Sequence, residues 1–480
     1  MKKIIYPFVI LLVLSLFLTA CGPNDPEVIV ETVEVEVVET VEVEVIKEVE
    51  VEPEEKELPP ASEENPIELR IGISMTPQEL QSFMPLLDEI DKAHPEWILV
   101  LEQTPQSSQV EKLNANAAAG TLPDVQELVG ASDLILRDVF LPLDEMAAEA
   151  GVDLDDFYQG ALDSYTWDGK LMALPFVSSP ELLFYNVDKF DEAGIDYPTN
   201  DWTYEDLKET AIKLTLDSNG NSADSPDFNP DDIVQWGFNT NPGALGSLAG
   251  NFVRPWGDGF CANANCTEMN MTSAENVEAL SWWYDFVVTN HGALSDVYGG
   301  SQTGVPGDPF VNGFTAMGYN GYFAIGQAQE TGSFDIGVVE LPEGPEGRST
   351  TTSTRGYAVA VNSGYPDQAW LLIQELTSNE FLADMWARPG HSVPARREAA
   401  EAVVDNPALT PASADAVLAS AEYAQAYPLT APGSFEAYLK TVGIGSEVFS
   451  TPGLTEADIA AKYAEMETAA NAALAEAAGN

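Results

Sequence analysis

"IELRIGISMTPQELQSFMPLLDEIDKAHPEWILVLEQTPQSSQVEKLNANAAAGTLPDVQELVG", residues 67–130, switches between two periodicities. "IELRIGIS" from Ile67, "WILVLEQT" from Trp97 and "PDVQELVG" from Pro123 carry apolar, β-branched strand signals. Between them, Glu79 to Lys92 and Ser108 to Gly120 space their apolar residues as helices do, and Gly120 ends the second. Strands that alternate with helices predict an α/β fold with a largely parallel sheet. Further on, "WTYEDLKETAIKLT" predicts a helix whose N-cap is Thr203, with Asp206 three residues later as in a capping box. "TEADIAAKYAEMETAANAALAEAA" predicts another, capped by Thr455.

Upstream of residue 67 the chain changes character. Lys2 and Lys3 precede an apolar run, Ile4 to Leu18, that is short for a membrane span and closes on "LTAC" at Cys21. Residues 1–20 therefore read as a signal peptide. Asp25 to Glu57 holds one Asp, thirteen Glu and two Lys with no aromatic side chain, and includes the octamer "VETVEVEV" twice over, residues 30–45. Such a segment buries too little to offset the entropy of ordering, and Pro53, Pro59 and Pro60 stop any strand, so residues 21–62 read as a disordered spacer.

The 480 residues suffice for two or three domains, and the 45% hydrophobic share is that of a globular protein. The 78 acidic against 20 basic side chains, formal charge −58, argue against nucleic acid and anionic lipid as partners. Cys261 and Cys266, close together in a polar stretch, read as a local disulfide; zinc is the rival, but no second Cys pair or His accompanies them. "LDSNGNSADSPDFNPDD", residues 216–232, begins like a calcium loop, with Asp217, Asn219 and Asn221 at alternate positions, but lacks the Glu at the twelfth. A polar surface loop is the expectation, with no metal and no cofactor.

Several ordered landmarks resemble one family: "AAAGTLPDVQELV", "LPLDEM", "DGKLMALPF", "LLFYNVDKFDEAGI" running into "WTYEDL", "NGFTAMGYNGYFAIG", "FDIGVVELPEGPEGR" and "RGYAVAVNS". In this order and spacing, over about residues 66–480, they resemble the extracellular solute-binding proteins of ABC importers, family 1, the maltose-binding-like carbohydrate group. "LTAC" resembles the lipobox of bacterial lipoproteins. The resemblance implies a two-lobed periplasmic-binding-protein-like fold (type II), each lobe a mixed sheet flanked by helices, with the ligand cleft between them. It implies crossings near "PFVSSPELLFYN" and "VVELPEGP", so that residues 63–178 plus 342–395 form the first lobe and 180–338 plus 396–480 the second. It further implies a lipidated Cys21 on the outer face of the cytoplasmic membrane, a carbohydrate ligand, permease subunits as partners and a monomer that performs no chemistry.

A sugar offers hydroxyls at its edges and apolar faces, so its site needs short polar groups beside aromatic platforms. Loops after strand ends in the first lobe nominate Thr76, Gln78, Gln106 and Ser132. At the first crossing the resemblance nominates Ser178 and Ser179, with Glu181 nearby. In "GYNGYFAIG" Phe323 falls where family members commonly stack a Trp on sugar, and Tyr319, Asn320 and Tyr322 flank it. Trp256, before a Gly-rich turn, is an aromatic with no obvious core to fill; Trp202, Trp282 and Trp283 read as core. After the second crossing, Gly356 permits close backbone approach, with Arg355 and Tyr357 beside it, and Arg355 reads equally as a salt bridge to acidic groups. Phe435 is nominated by its position relative to the family alone. The alternatives are the same transport role for a non-sugar solute, a polyol or glycerophosphodiester, and, as rival functions, a sugar-cleaving enzyme and an adhesive surface protein. Among 78 acids a carboxyl pair at the roughly 5–10 Å a glycosidase needs arises by number alone and points to nothing.

Overall fold

Strand β1 (Ile67–Ile73) pairs in parallel with β2 (Trp97–Gln103), Ile67 opposite Trp97 and Ile73 opposite Gln103, and helix α1 (Pro77–Ala93) crosses between them. The structure is a computed structural model. It describes residues 61–130, 133–239, 252–263, 265–294, 308–326, 334–427 and 433–479. The leader, Cys21, the Val/Glu repeat and Ser132 lie outside the described residues. No helix among the described residues is long and apolar enough to cross a membrane.

The opening stretch folds as its periods dictate. α1 buries Phe83, Leu87 and Ile90, spaced three and four apart, against the sheet. α2 (Gln109–Ala119) ends at Gly120, whose φ of 63° is left-handed and lets its N–H cap the carbonyls of Asn116 and Ala117. β3 (Val125–Val129) then pairs in parallel on the other side of β1.

Beyond β3 the sheet is mixed rather than largely parallel. β4 (Leu174–Asn186), β5 (Ile233–Asn239), β6 (Thr315–Gly321), β7 (Ile336–Val339) and β8 (Thr351–Val359) give the order β2-β1-β3-β8-β4-β6-β5, with β7 also on β4. β8 runs antiparallel to both β3 and β4, and β4 runs antiparallel to β6 and β7. The reason is the crossing itself. β4 carries the chain from pairing with β8 to pairing with β6, and β8 runs back alongside it, so the two lie side by side in opposite directions. Leu174–Pro180 pair with β8, and Glu181–Tyr185 pair with β6.

The longer helices that follow among the described residues include α3 (Tyr204–Leu214), α4 (Ala274–Tyr284), α5 (Pro411–Tyr423), α6 (Ser434–Ser450) and α7 (Glu456–Ala478). The capping boxes of Thr203 with Asp206 and of Thr455 with Asp458 are both formed. One apolar core takes Leu69, Ile71, Val125, Phe176 and Val359, and continues past β4 through Phe184, Phe310, Ile325 and Val338 to Val417 of α5. The other lies on the opposite face of the second-lobe strands and joins Leu183, Phe238, Met317, Trp283 and Phe286 to Ile459 and Tyr463 of α7. Two adjacent residues of one strand, Leu183 and Phe184, therefore seat different cores. Ala399, Ala400, Val403 and Val417 also belong to the first of these cores.

Cys261 and Cys266 are disulfide-bonded, with Cα atoms 4.8 Å apart. Asp217, in the loop that begins like a calcium site, is spent on its own loop. Its carboxylate accepts from the backbone N–H groups of Asn219, Asn221 and Asn229 and from Asn221 Nδ2, at 2.8–3.1 Å. Burial opposes the charge, but those donors outweigh it and hold the group down to about 2. No metal-ligand cluster occurs among the described residues.

Candidate functional site

Where β8 and β4 leave the first lobe, their side chains wall a cavity of about 520 Å³, within the roughly 300–1,000 Å³ usual for small-molecule sites. Its floor is the hydroxyl run Thr352–Thr354 with Val177 and Ser179 of β4; Phe323 and Tyr427 supply aromatic surface, and Thr76, Gly130 and His391 close the first-lobe side. Ser179 is buried, and its Oγ has no hydrogen-bond partner among the described residues, a polar atom left for something in the cavity. Phe323 is 40% exposed, unusual for so large an apolar ring, and presents an open platform.

Strand alternation sorts the crossing residues. Val177 and Ser179 face the cavity, whereas Ser178 is fully buried and shares a 3.0 Å hydrogen bond with Thr352 Oγ1. Glu181, two further on, follows the alternation of Ser179. It is 7% exposed, and burial pushes its carboxyl up to about 8, so it is mostly protonated at neutral pH.

Arg355 lines the cavity but its donors are committed elsewhere. Nε donates to Glu127 Oε1 (2.7 Å), Nη1 to Glu79 Oε1 (2.7 Å) and Nη2 to the Ser74 carbonyl (2.7 Å). The guanidinium also lies over the rings of Trp386 and Phe176, at 4.8 and 5.7 Å. Burial disfavours its charge, yet the Glu127 and Glu79 carboxylates hold it above its ordinary value; burial in turn raises Glu127, against the pull of Arg355. Of the two readings open in the sequence, the salt bridge is the one formed. Its effect is positional. Glu79 Oε2 accepts from Thr76 N (2.6 Å) and Glu127 Oε2 from Ser74 N (2.8 Å), so one cation ties the ends of β1, β3 and β8 to the start of α1.

His391 joins the wall from a loop far along the chain. Its Nε2 lies 2.9 Å from Ser82 Oγ, and burial lowers its pKa, so the ring is neutral at pH 7.

The cavity thus gathers Thr76, Ser179, Phe323 and Arg355 from the nominated residues. Several others are placed elsewhere. Trp256 is 5% exposed and packs in the second core against Tyr204 and Trp282, with ring centroids 4.9 and 5.3 Å away; the aromatic cluster around α4 is the core its local sequence did not reveal. Tyr357 is buried and stacks on Phe176 at 4.3 Å. A Cβ on Gly356 would meet Tyr165 Cε2 at 2.9 Å, so this glycine makes room for a core tyrosine rather than for a ligand. Asn320 is held by Asp308, which accepts from its Nδ2 at 2.9 Å, and by the Gly321 N–H, which donates to its Oδ1. Tyr319 packs on Phe252 at 4.6 Å, and Tyr322 is buried with its hydroxyl accepting from Asn406 Nδ2. Gln78 is exposed on α1 and is not on the cavity wall. Gln106 begins a short 3₁₀ turn and Phe435 lies in α6. Sequence reasoning missed Glu79, Thr352, Thr354, His391 and Tyr427. "TPQE" at 76–79 is itself a capping-box signature, and the hydroxyl run "STTTST" at 349–354 is a polar stretch no turn requires. His391 and Tyr427 had no local signal, because only tertiary folding brings them in.

The family model for bacterial extracellular solute-binding proteins matches residues 86–411. A binding protein of Brucella abortus (strain 2308) is 24% identical over 333 residues, covering 66% of this chain and 74% of that one. The sn-glycerol-3-phosphate-binding periplasmic protein UgpB of Escherichia coli (strain K12) is 28% identical over 138 residues, 27% of this chain and 31% of that one. Among solved structures, an ABC substrate-binding protein from Listeria monocytogenes in complex with cycloalternan superposes with a TM-score of 0.67 at 20% identity, over 84% of this chain and 99% of that one. That likeness extends the two-lobed fold to this chain.

Proposed function

The chain belongs to the bacterial extracellular solute-binding proteins, and from that premise we propose that it captures a mono- or oligosaccharide in the cavity at the lobe crossing and hands it to the permease of an ABC importer. The observation that carries this reading is the pairing of an open Phe323 ring with Ser179, Thr352 and Thr354 across one cavity. An aromatic face beside short hydroxyls matches a sugar ring, apolar on its faces and polar around its edge. The protein works as a monomer and performs no turnover: the lobes close on the ligand about β4 and β8, and release follows at the permease. Residues 1–20 direct export, Cys21 carries the lipid that holds the protein on the outer face of the cytoplasmic membrane, and residues 21–62 are the tether. A phosphorylated polyol is the second reading, favoured by the partial likeness to the E. coli glycerol-phosphate protein.

A thermal-shift screen of the full chain against neutral sugars, amino acids, polyols and glycerophosphodiesters separates these readings. A sugar that binds only the folded state raises the melting temperature, by an amount that grows with the logarithm of its concentration above Kd. Phe323→Ala is expected to weaken that sugar at least tenfold while leaving the unliganded melting temperature within about 1 °C, since a half-exposed ring contributes little to the core. Stabilisation by a non-sugar alone, or hydrolysis of the bound sugar, overturns the assignment.

A further inference from the structure

A second cavity, of about 650 Å³, adjoins the first along the approach to β8. Ser349 lines the second and Thr352 the first, three residues or roughly 10 Å of extended chain apart. Gln425 and Tyr427, two apart, divide in the same way, and Gln425 N donates to Thr350 O at 3.0 Å. The two cavities are thus neighbours along the same two paired segments.

What distinguishes this cavity is its supply of uncommitted donors. Arg254 Nη1, Arg348 Nε and Ser349 Oγ are buried atoms of residues that line it, and none has a hydrogen-bond partner among the described residues. Arg254 makes no ion pair among the described residues, in a chain with 78 carboxylates to choose from. A desolvated guanidinium without a counter-charge is costly, and burial lowers its pKa accordingly. Arg348 is only partly engaged, through Glu340 at 3.4 Å and the Asn200 carbonyl.

The local backbone is built to bring the two arginines together. Glu346 N donates to Pro255 O at 2.9 Å, which ties the Arg348 loop to the Arg254 turn. A Cβ on Gly344 would meet Pro255 Cβ at 2.5 Å, so the two loops touch only because that residue is glycine. A Cβ on Gly259 would stand 2.9 Å from Arg254 Cγ, so this glycine leaves the lane in which the arginine stem lies. The three carboxylates on the cavity wall, Asp258, Glu275 and Glu346, belong to exposed residues, where water solvates them, whereas the donors lie inside.

We propose that Arg254, with Arg348 and Ser349, forms a subsite for an oxyanion carried by the transported solute, a carboxylate as in a uronic acid or a phosphate ester. Two guanidinium donors and a hydroxyl that can donate, lining one cavity, fit that group, and the planar fork of Arg matches its paired oxygens. This deepens the solute-capture reading and rests on it.

Isothermal titration of the full chain with three matched sets tests the subsite: neutral sugars and their oligomers, the corresponding uronates, and sugar or glycerol phosphates. An oxyanion-bearing solute is expected to bind at least tenfold more tightly than its neutral counterpart, and Arg254→Gln is expected to bring that ratio close to one. Arg348→Gln is the second variant, should Arg254→Gln fail to fold, and is expected to lower the ratio by several-fold. Preference confined to uronates or to phosphates identifies the source of the oxyanion. Neutral sugars bound as tightly as charged ones, or a ratio untouched in both variants, overturns the subsite while leaving solute capture intact. Binding of none of the three sets overturns capture itself.

Discussion

Glu181 is a carboxyl on the crossing strand whose protonation burial has reversed. Its carboxyl titrates at about 8 in the folded protein against an ordinary value of 4.5, so the folded state holds a proton that the unfolded chain gives up. Stability linked to this group is therefore unaffected below pH 4.5, falls as pH rises from 4.5 towards 8, and stays low above that. Glu181→Gln removes the titration while keeping the shape. It is expected to stabilise the protein by about 2 kcal/mol or more at pH 7 and by almost nothing at pH 4. Urea unfolding of both proteins at the two pH values measures this, and a difference that does not change with pH refutes the buried acid. At the same scale, the site was legible only where chemistry and exposure coincide. Phe323 and Ser179 are where their residue types suggest, but Arg355, Gly356 and Tyr357 share one nominated tripeptide and serve three different purposes: a strand-end ion pair, room for Tyr165, and core stacking. Adjacent strand residues face opposite ways, and no local signal says which face is the cavity.

Elements were far more legible than sites, since their signals are local. The three strands and two helices of residues 67–130 form as their periods require, and the N-capping signals at Thr203 and Thr455 are both used. What escaped was the antiparallel run of β8 beside β4, because strand direction depends on where the chain crosses between lobes, not on composition. The Thr203 cap offers a clean test of a local signal. Thr203 Oγ1 accepts from Asp206 N and donates to Asp206 Oδ2, and those bonds to the Thr hold the Asp206 carboxyl below its ordinary value. Thr203→Ala is expected to cost about 1 kcal/mol at pH 7. A group with a depressed pKa contributes above its unfolded value and loses that contribution as acid protonates it, so the penalty should shrink towards pH 2. Equal penalties in denaturant titrations at pH 7 and pH 2 would mean that the carboxylate plays no part in the cap.

On the scale of the whole molecule, the balance of 78 acidic against 20 basic residues dominates everything that is not core. Among the described residues the ion pairs are mainly surface contacts worth little individually. Folding draws the charges closer than they stand in the unfolded chain, so mutual repulsion works against the native state. Salt shortens the reach of that repulsion, from a screening length of about 30 Å at 0.01 M to about 3 Å at 1 M. The Arg355 network, being buried, is screened much less than the surface and keeps its attraction. The two effects therefore add in one direction. Raising sodium chloride from 0.01 to 0.5 M is expected to lift the calorimetric melting temperature by several degrees. Because β4 seats both cores through Leu183 and Phe184, the rise should appear in one transition and not split between lobes. A melting temperature that stays flat or falls with salt would show that surface attractions, and not net repulsion, set the balance.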